Sequence, residues 1–201
     1  TLIIKRDLEL LNYTKSRLCV YGISLSESVK LIKEGKKVNS NLYSTCAYLN
    51  LIKTEKELEN FDSNLKVSPP LRLKTDVNEL IKGLKEGTVD AIVSNHYGIE
   101  EEGKQLEFPY AKFGASGIET CFSALNTYAG NLDLETLIRS LTSGPRKILN
   151  LERGEIKQGY EGGLTLFDTE MEWTFDKTYS LSKNNPFLGE RLKGKVIGVL
   201  G

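Results

Sequence analysis

Leu18–Val29 reads LCVYGISLSESV, and this stretch decides the fold. Its first six residues form a short apolar run, of a length and composition that suit a buried strand. Ser24 followed three residues later by Glu27 has the pattern of a capping box, with Val29 and Ile32 next on one helical face, so Ser24 is expected to open a helix. A strand feeding directly into a helix is one βα unit. Outward from this unit the same pattern recurs. Leu42–Leu49 (LYSTCAYL) reads as a strand, Thr54 with Glu57 as a second capping box, and Thr75 as the start of a helix carrying Leu80, Ile81 and Leu84 that ends at Gly87. Asp90–Ser94 (DAIVS) is a third strand. A polar loop then runs to Gly114 and precedes two helices, one through Ile118, Cys121, Phe122 and Leu125, the other through Leu134, Leu137, Ile138 and Leu141. Upstream, Ile4, Leu8 and Leu11 share the face of a further helix. Alternation of this kind predicts an α/β protein with a parallel sheet.

From Leu151 the texture changes. Gly154, Gly159, Gly162 and Gly163 interrupt the chain, and the runs LTLF, EWTF and KVIGVL follow at strand length. The expected division is therefore 1–150, built of βα units, and 151–201, a β-rich segment. GYEGG at 159–163 precedes a strand rather than a helix, which argues against a nucleotide loop.

Composition narrows the function classes. Lys plus Arg and Asp plus Glu number 27 each, and no basic run with interleaved aromatics tracks a phosphate backbone, so nucleic acid is not an expected partner. No apolar stretch reaches the ~18 residues that a membrane helix needs, and the N-terminus lacks a signal-peptide layout, so a cytoplasmic protein is expected. Cys19, Cys46 and Cys121 are odd in number, widely spaced and set among apolar residues, and read as reduced core thiols rather than a disulfide frame or zinc site. Thr1 already lies within a helical pattern, so a piece of something longer is expected.

VSPPLR (67–72), FGASGIET (113–120), LTLFD (164–168), EWTFD (172–176) and LSKNNPFLGERLKGKV (181–196) stand in this order along the chain. Together with RDLELLNYTKSRL near the start, they resemble the bacterial dihydroorotases of the metal-dependent amidohydrolase superfamily. The resemblance covers nearly the whole chain. It implies a (βα)8 TIM barrel with a small β-domain assembled from both chain ends, of which this chain would supply units six to eight and the C-terminal strands. The implied reaction interconverts dihydroorotate and N-carbamoyl-L-aspartate with zinc, and in such barrels the chemistry sits at the C-terminal ends of the strands.

At those ends the implied site residues are replaced. Where the family has the second His of His-x-x-His-x-Ser, a metal ligand, this chain has Gly22. Pro-His-His-Leu appears as Tyr48-Leu49-Asn50-Leu51, without either histidine. The Asn of Asn-Pro-Pro-Leu-Arg, which helps to hold substrate, appears as Ser68, while Arg72 is retained for either a loop salt bridge or anion binding. Asp-His-Ala-Pro-His, whose Asp is metal ligand and general base, appears as Asn95-His96-Tyr97-Gly98-Ile99. An Asn amide cannot ionise, so it can neither take a proton from water nor match an anionic ligand. Ile99 cannot replace the substrate His. His96, the one histidine of the chain, reads as a hydrogen-bonded structural residue, with a weak substrate contact as the other reading.

Positions that serve folding remain, among them the capping boxes, Pro69-Pro70, Gly114 with Gly117, Pro145, Trp173 and Pro186-Phe187-Leu188-Gly189. Loss confined to the chemistry suggests a fold kept for a purpose other than turnover. No intact catalytic residue and no metal or cofactor are expected in this chain, although zinc serves the family. Two function classes follow: a non-catalytic dihydroorotase-like binding or scaffold protein, with aspartate transcarbamoylase as one candidate partner, and an active cyclic amidohydrolase completed by a missing N-terminal half. A small-ligand binding module in the old pocket is a third. Three strands cut from an eight-strand ring leave open edges, so the missing half, a homo-oligomer or the β-rich tail is expected to cover them.

Overall fold

The chain enters through α1 (Leu2–Thr14), which buries Leu11 and rests Ile4 and Leu8 against the core. β1 (Leu18–Val20) follows, then α2 (Ser26–Val38), β2 (Leu42–Ala47), the single turn α3 (Leu49–Ile52), α4 (Lys74–Lys85) and β3 (Ala91–Val93). The structure, a computed structural model, describes residues 1–151, 156–159 and 163–200. The three strands pair in parallel in the order β1, β2, β3, with Leu18 opposite Leu42 and Thr45 opposite Ala91. All six residues of β2 are buried, as suits the middle strand of a parallel sheet covered by helices.

Several sequence expectations change in detail: the strand read at 42–49 ends at Ala47, and Ile118, read as part of a helix, lies before it. The strand placed at 18–23 stops at Val20, because Gly22 turns into the left-handed region at φ +70°. Ser24 does not cap α2. The N-cap position falls at Leu25, and the Ser26 amide donates instead to Asp76 Oδ1 of α4 at 2.7 Å, a cap supplied through space. The Ser24 hydroxyl is turned to Arg72 Nε at 3.3 Å. The second expected box forms: Glu57 accepts from the Thr54 amide at 2.8 Å and its hydroxyl at 2.7 Å, but it opens a short 3-10 turn, Glu55–Leu58, rather than an α-helix.

After the long loop come α5 (Cys121–Tyr128), α6 (Leu134–Leu141) and α7 (Ser143–Leu149). The tail is an antiparallel pair, β4 (Leu164–Thr174) and β5 (Arg191–Leu200), whose register shifts at Leu166/Phe167 and at Asp168/Glu172. LTLF and the EWT of EWTF thus belong to one bulged strand rather than two. Gly154 and Gly162, cited above as breakers, lie outside the described residues, as do Tyr160 and Glu161 of the GYEGG run. Asn126 of α5 donates to the carbonyls of Thr169 and Lys193, and the Tyr48 ring meets Phe187 at 6.2 Å between centroids, so the tail is tied to the sheet. Among the described residues β4 and β5 pair only with each other and cover neither outer edge of the parallel sheet. Cys46 and Cys121 are buried free thiols, but Cys19 is exposed, because β1 is an outer strand; only two of the three cysteines belong to the core.

Candidate site at the strand ends

The C-terminal ends of β1, β2 and β3 converge on the loop that carries Ser68, Pro69 and Pro70. At the end of β1 the Gly22 amide donates to Thr45 Oγ1 at 3.0 Å, and a Cβ built on Gly22 would stand 3.4 Å from Pro69 Cδ. At the end of β2, Tyr48 and Asn50 are buried. Asn50 Nδ2 donates to the Pro70 carbonyl at 2.9 Å, while its Oδ1 and the Tyr48 hydroxyl have no protein partner. Burial pushes the Tyr48 phenol well above its ordinary range, so it stays protonated. Asn95 follows β3 in the left-handed region at φ +45°. Its Nδ2 donates to the Ser68 carbonyl at 2.9 Å, and its Oδ1 lies 3.4 Å from the Tyr21 hydroxyl that donates to it.

His96 points its Nδ1 back at the chain, accepting from the amides of Gly117 at 3.1 Å and Ile118 at 3.4 Å. In the neutral ring the proton therefore sits on Nε2, which offers a donor and no lone pair. Ile99 is only 3% exposed, its amide bonded to Asn184 Oδ1, and it is part of the loop interior rather than the mouth. Arg72 meets the Ser24 hydroxyl and no carboxylate among the described residues, so the expected alternative of a loop salt bridge does not form. The structure thus brings Gly22, Asn50, Ser68 and Asn95 together and sets Ile99, His96 and Arg72 apart from them. Sequence reasoning missed Tyr21 and Thr45, whose hydroxyls take positions among these groups; nothing in their local sequence marks them.

As donors, a glycine, two carboxamides and a serine offer no thiolate, imidazole or carboxylate of the kind that holds zinc. Among the described residues no three His, Cys, Asp or Glu side chains gather as a metal set. Pro69 packs beside Gly22, and the Nδ2 groups of Asn50 and Asn95 are both given to loop carbonyls.

Similarity to known proteins joins this geometry to a family. The dihydroorotase of Caldicellulosiruptor saccharolyticus is 39% identical over 207 aligned positions, covering 100% of this chain and 48% of that protein. The chain belongs to the dihydroorotase family. A second dihydroorotase, from a Thermoanaerobacter species, is 37% identical over 96% of this chain and 46% of its own length. Among solved structures, an L-hydantoinase (dihydropyrimidinase) from Arthrobacter aurescens superposes with a TM-score of 0.90 at 26% identity, over 98% of this chain and 46% of that one. No family model matches. The dihydroorotase-family chain spans about half the length of the curated relatives it matches, and its α/β fold has TIM-barrel amidohydrolases as structural neighbours.

Proposed function

We propose that this chain is the C-terminal half of a dihydroorotase-like protein that does not catalyse and acts by binding other molecules as a scaffold. On this reading 1–150 forms barrel units six to eight and 151–201 the C-terminal strands of the composite β-domain. The observation that carries it is the state of the strand ends. Asn95, standing where the family's ionised Asp would serve as ligand and base, is engaged with Ser68 and Tyr21, and Gly22 faces Pro69. No group there can take the proton of an attacking water. The chain then holds no zinc at these positions, and the substrate contacts left to Ser68, His96 and Arg72 are at most partial.

A barrel retained without chemistry is best used as a surface, and aspartate transcarbamoylase is the partner we propose for it, in the cytoplasm; no helix among the described residues is long and apolar enough to cross a membrane. One observation favours the second reading, an active cyclic amidohydrolase completed by the other half of the protein: the relatives are named dihydroorotase and match the whole of this chain. The two separate by experiment. The full-length protein, freshly purified, is assayed for dihydroorotate hydrolysis and for bound zinc, and titrated with purified aspartate transcarbamoylase. The scaffold reading expects no turnover, no stoichiometric zinc and a defined complex. Turnover with zinc that is lost on His96→Ala or Asn95→Ala would establish the second reading in its place.

A further inference from the structure

A cleft of about 270 Å³ lies at the N-terminal ends of β1 and β2, on the side of the sheet away from the strand-end site. It is lined by Arg17, Asn41, Tyr43, Lys147, Asn150 and Leu151. The Arg17 guanidinium stands 4.7 Å from the centroid of the Tyr43 ring and the Lys147 ammonium 5.8 Å from it. One guanidinium N–H is committed to the Lys147 carbonyl at 2.5 Å, in the last turn of α7. Neither cation meets a carboxylate among the described residues.

Two like charges converging on one ring repel, and they are ordinarily held together by a carboxylate between them. Here the carbonyl end of α7 offsets part of that repulsion, and the ring face offsets a little more. The remaining guanidinium N–H groups and the ammonium share this cleft with Asn41, Asn150 and Tyr43, residues whose side chains can also donate. A planar guanidinium fork beside a point charge suits the tetrahedral oxygens of phosphate, and two cations favour a dianion over a monocarboxylate. Because Arg17 already covers the ring, stacking of an aromatic ligand is not the basis of recognition. We propose that the Arg17–Lys147 cleft binds a phosphate-type dianion, either inorganic phosphate or the phosphate group of a small metabolite. This does not depend on whether the protein catalyses.

The test titrates the full-length protein with inorganic phosphate by calorimetry at constant ionic strength, with chloride as the control salt, and repeats it with a nucleoside monophosphate. Saturable phosphate binding is expected, weakened at least about tenfold in Lys147→Gln and in Arg17→Gln, and unchanged in Lys74→Gln, an exposed lysine at the start of α4 that does not line the cleft. Tighter binding of the nucleoside monophosphate would assign an ester as the ligand, and equal or weaker binding would assign the free ion; either supports the site. Both substitutions are at exposed positions, and matching thermal melts confirm that the variants are folded. Heat no larger than with chloride, or phosphate binding unchanged in Lys147→Gln, would overturn the proposal.

Discussion

The side-chain amide of Asn95 donates to the carbonyl oxygen of Ser68 at 2.9 Å, joining the end of the third strand to the loop that follows the second. Asn tolerates the left-handed backbone that Asn95 adopts, and its amide gives the donor that this carbonyl needs. An Asp would keep the backbone and lose the donor. The position is therefore suited to a structural bond as it stands.

Reinstating the family residues is expected to cost stability without restoring turnover. Gly22→His would place a β-carbon 3.4 Å from Pro69 at φ +70°, a backbone that costs a non-glycine residue about 1–2 kcal/mol. Asn95→Asp would leave the Ser68 carbonyl without its partner, at about 1 kcal/mol for a partly exposed group. The double variant is therefore expected to melt lower by the combined amount and to leave dihydroorotate untouched, because rate enhancement needs a whole preorganised constellation. Melting curves and a hydrolysis assay check both parts, and measurable turnover would sink the second.

Gly144 is expected to be the most sensitive glycine among the described residues. A β-carbon there would fall 2.1 Å from the carbonyl oxygen of Asp90, a backbone atom that cannot rotate away. Asp90 is itself fixed, since its carboxylate accepts from Lys36 at 2.7 Å and from the Ser44 amide at 2.9 Å. Gly144→Ala is thus expected to destabilise by about 3 kcal/mol or more, or to prevent folding. Gly130→Ala, whose β-carbon meets nothing within 4 Å, is the matched control and should melt within a few degrees of the parent.

The cap of α2 gives a direct contrast between sequence pattern and structure. If Ser24 were the cap, Ser24→Ala would be the damaging change. Because the Ser26 amide bonds to Asp76, Asp76→Ala is expected to cost about 1–2 kcal/mol, with Asp76→Asn recovering much of it through the remaining carboxamide oxygen. Ser24→Ala should cost less, since it removes only a 3.3 Å contact to Arg72. Denaturant melts of the three variants decide the order, and a larger loss at Ser24 would contradict the structure.

What could be read from the chain followed from how local each signal is. Periodicity found the strands and helices because β2 is buried along its whole length and α1 and α4 each carry a plain apolar face. Thr54 and Glu57 were legible as a pair because their contact spans one turn. Ser24 and Glu27 had the same spacing and misled, because a carboxylate 50 residues away competed for the amide, and no local pattern encodes that. The two tail runs fused into one strand because bulges let β4 continue through Asp168–Glu172. At the strand ends, that Gly22, Asn50, Ser68 and Asn95 carry no ionisable side chain was legible residue by residue. The left-handed turns at Gly22 and Asn95, the Pro69 ring beside Gly22 and the hydroxyls of Tyr21 and Thr45 are products of tertiary packing and were not.

The buried thiols set the expected response to alkali. Burial pushes the Cys121 thiol from 9.0 up to about 12, and raises Cys46, more deeply buried, further still. In the unfolded chain both ionise near their ordinary value, so between about pH 9 and 12 the unfolded state gives up protons that the folded state keeps. Stability is then full below pH 9 and falls as pH rises, by about 1.4 kcal/mol per pH unit for each thiol while the difference lasts. Lys104 opposes this. Its ammonium, buried and bonded to the carbonyls of Ser63 and Lys112, is lowered from 10.5 to about 8, mainly by desolvation, so the unfolded state binds the extra proton between those values and stability gains as pH rises through them. Two thiols outweigh one amine, and a net decline is expected above pH 9. Urea melts across that range check it. The double variant Cys46→Ala/Cys121→Ala should start from a lower stability because of the cavities it leaves, and should keep only the part of the decline above pH 10 that the raised phenols of Tyr48 and Tyr128 contribute. Lys104→Met should steepen the decline, and a parent protein whose stability holds level from pH 9 to 11 would show that these thiols are not shielded as the structure has them.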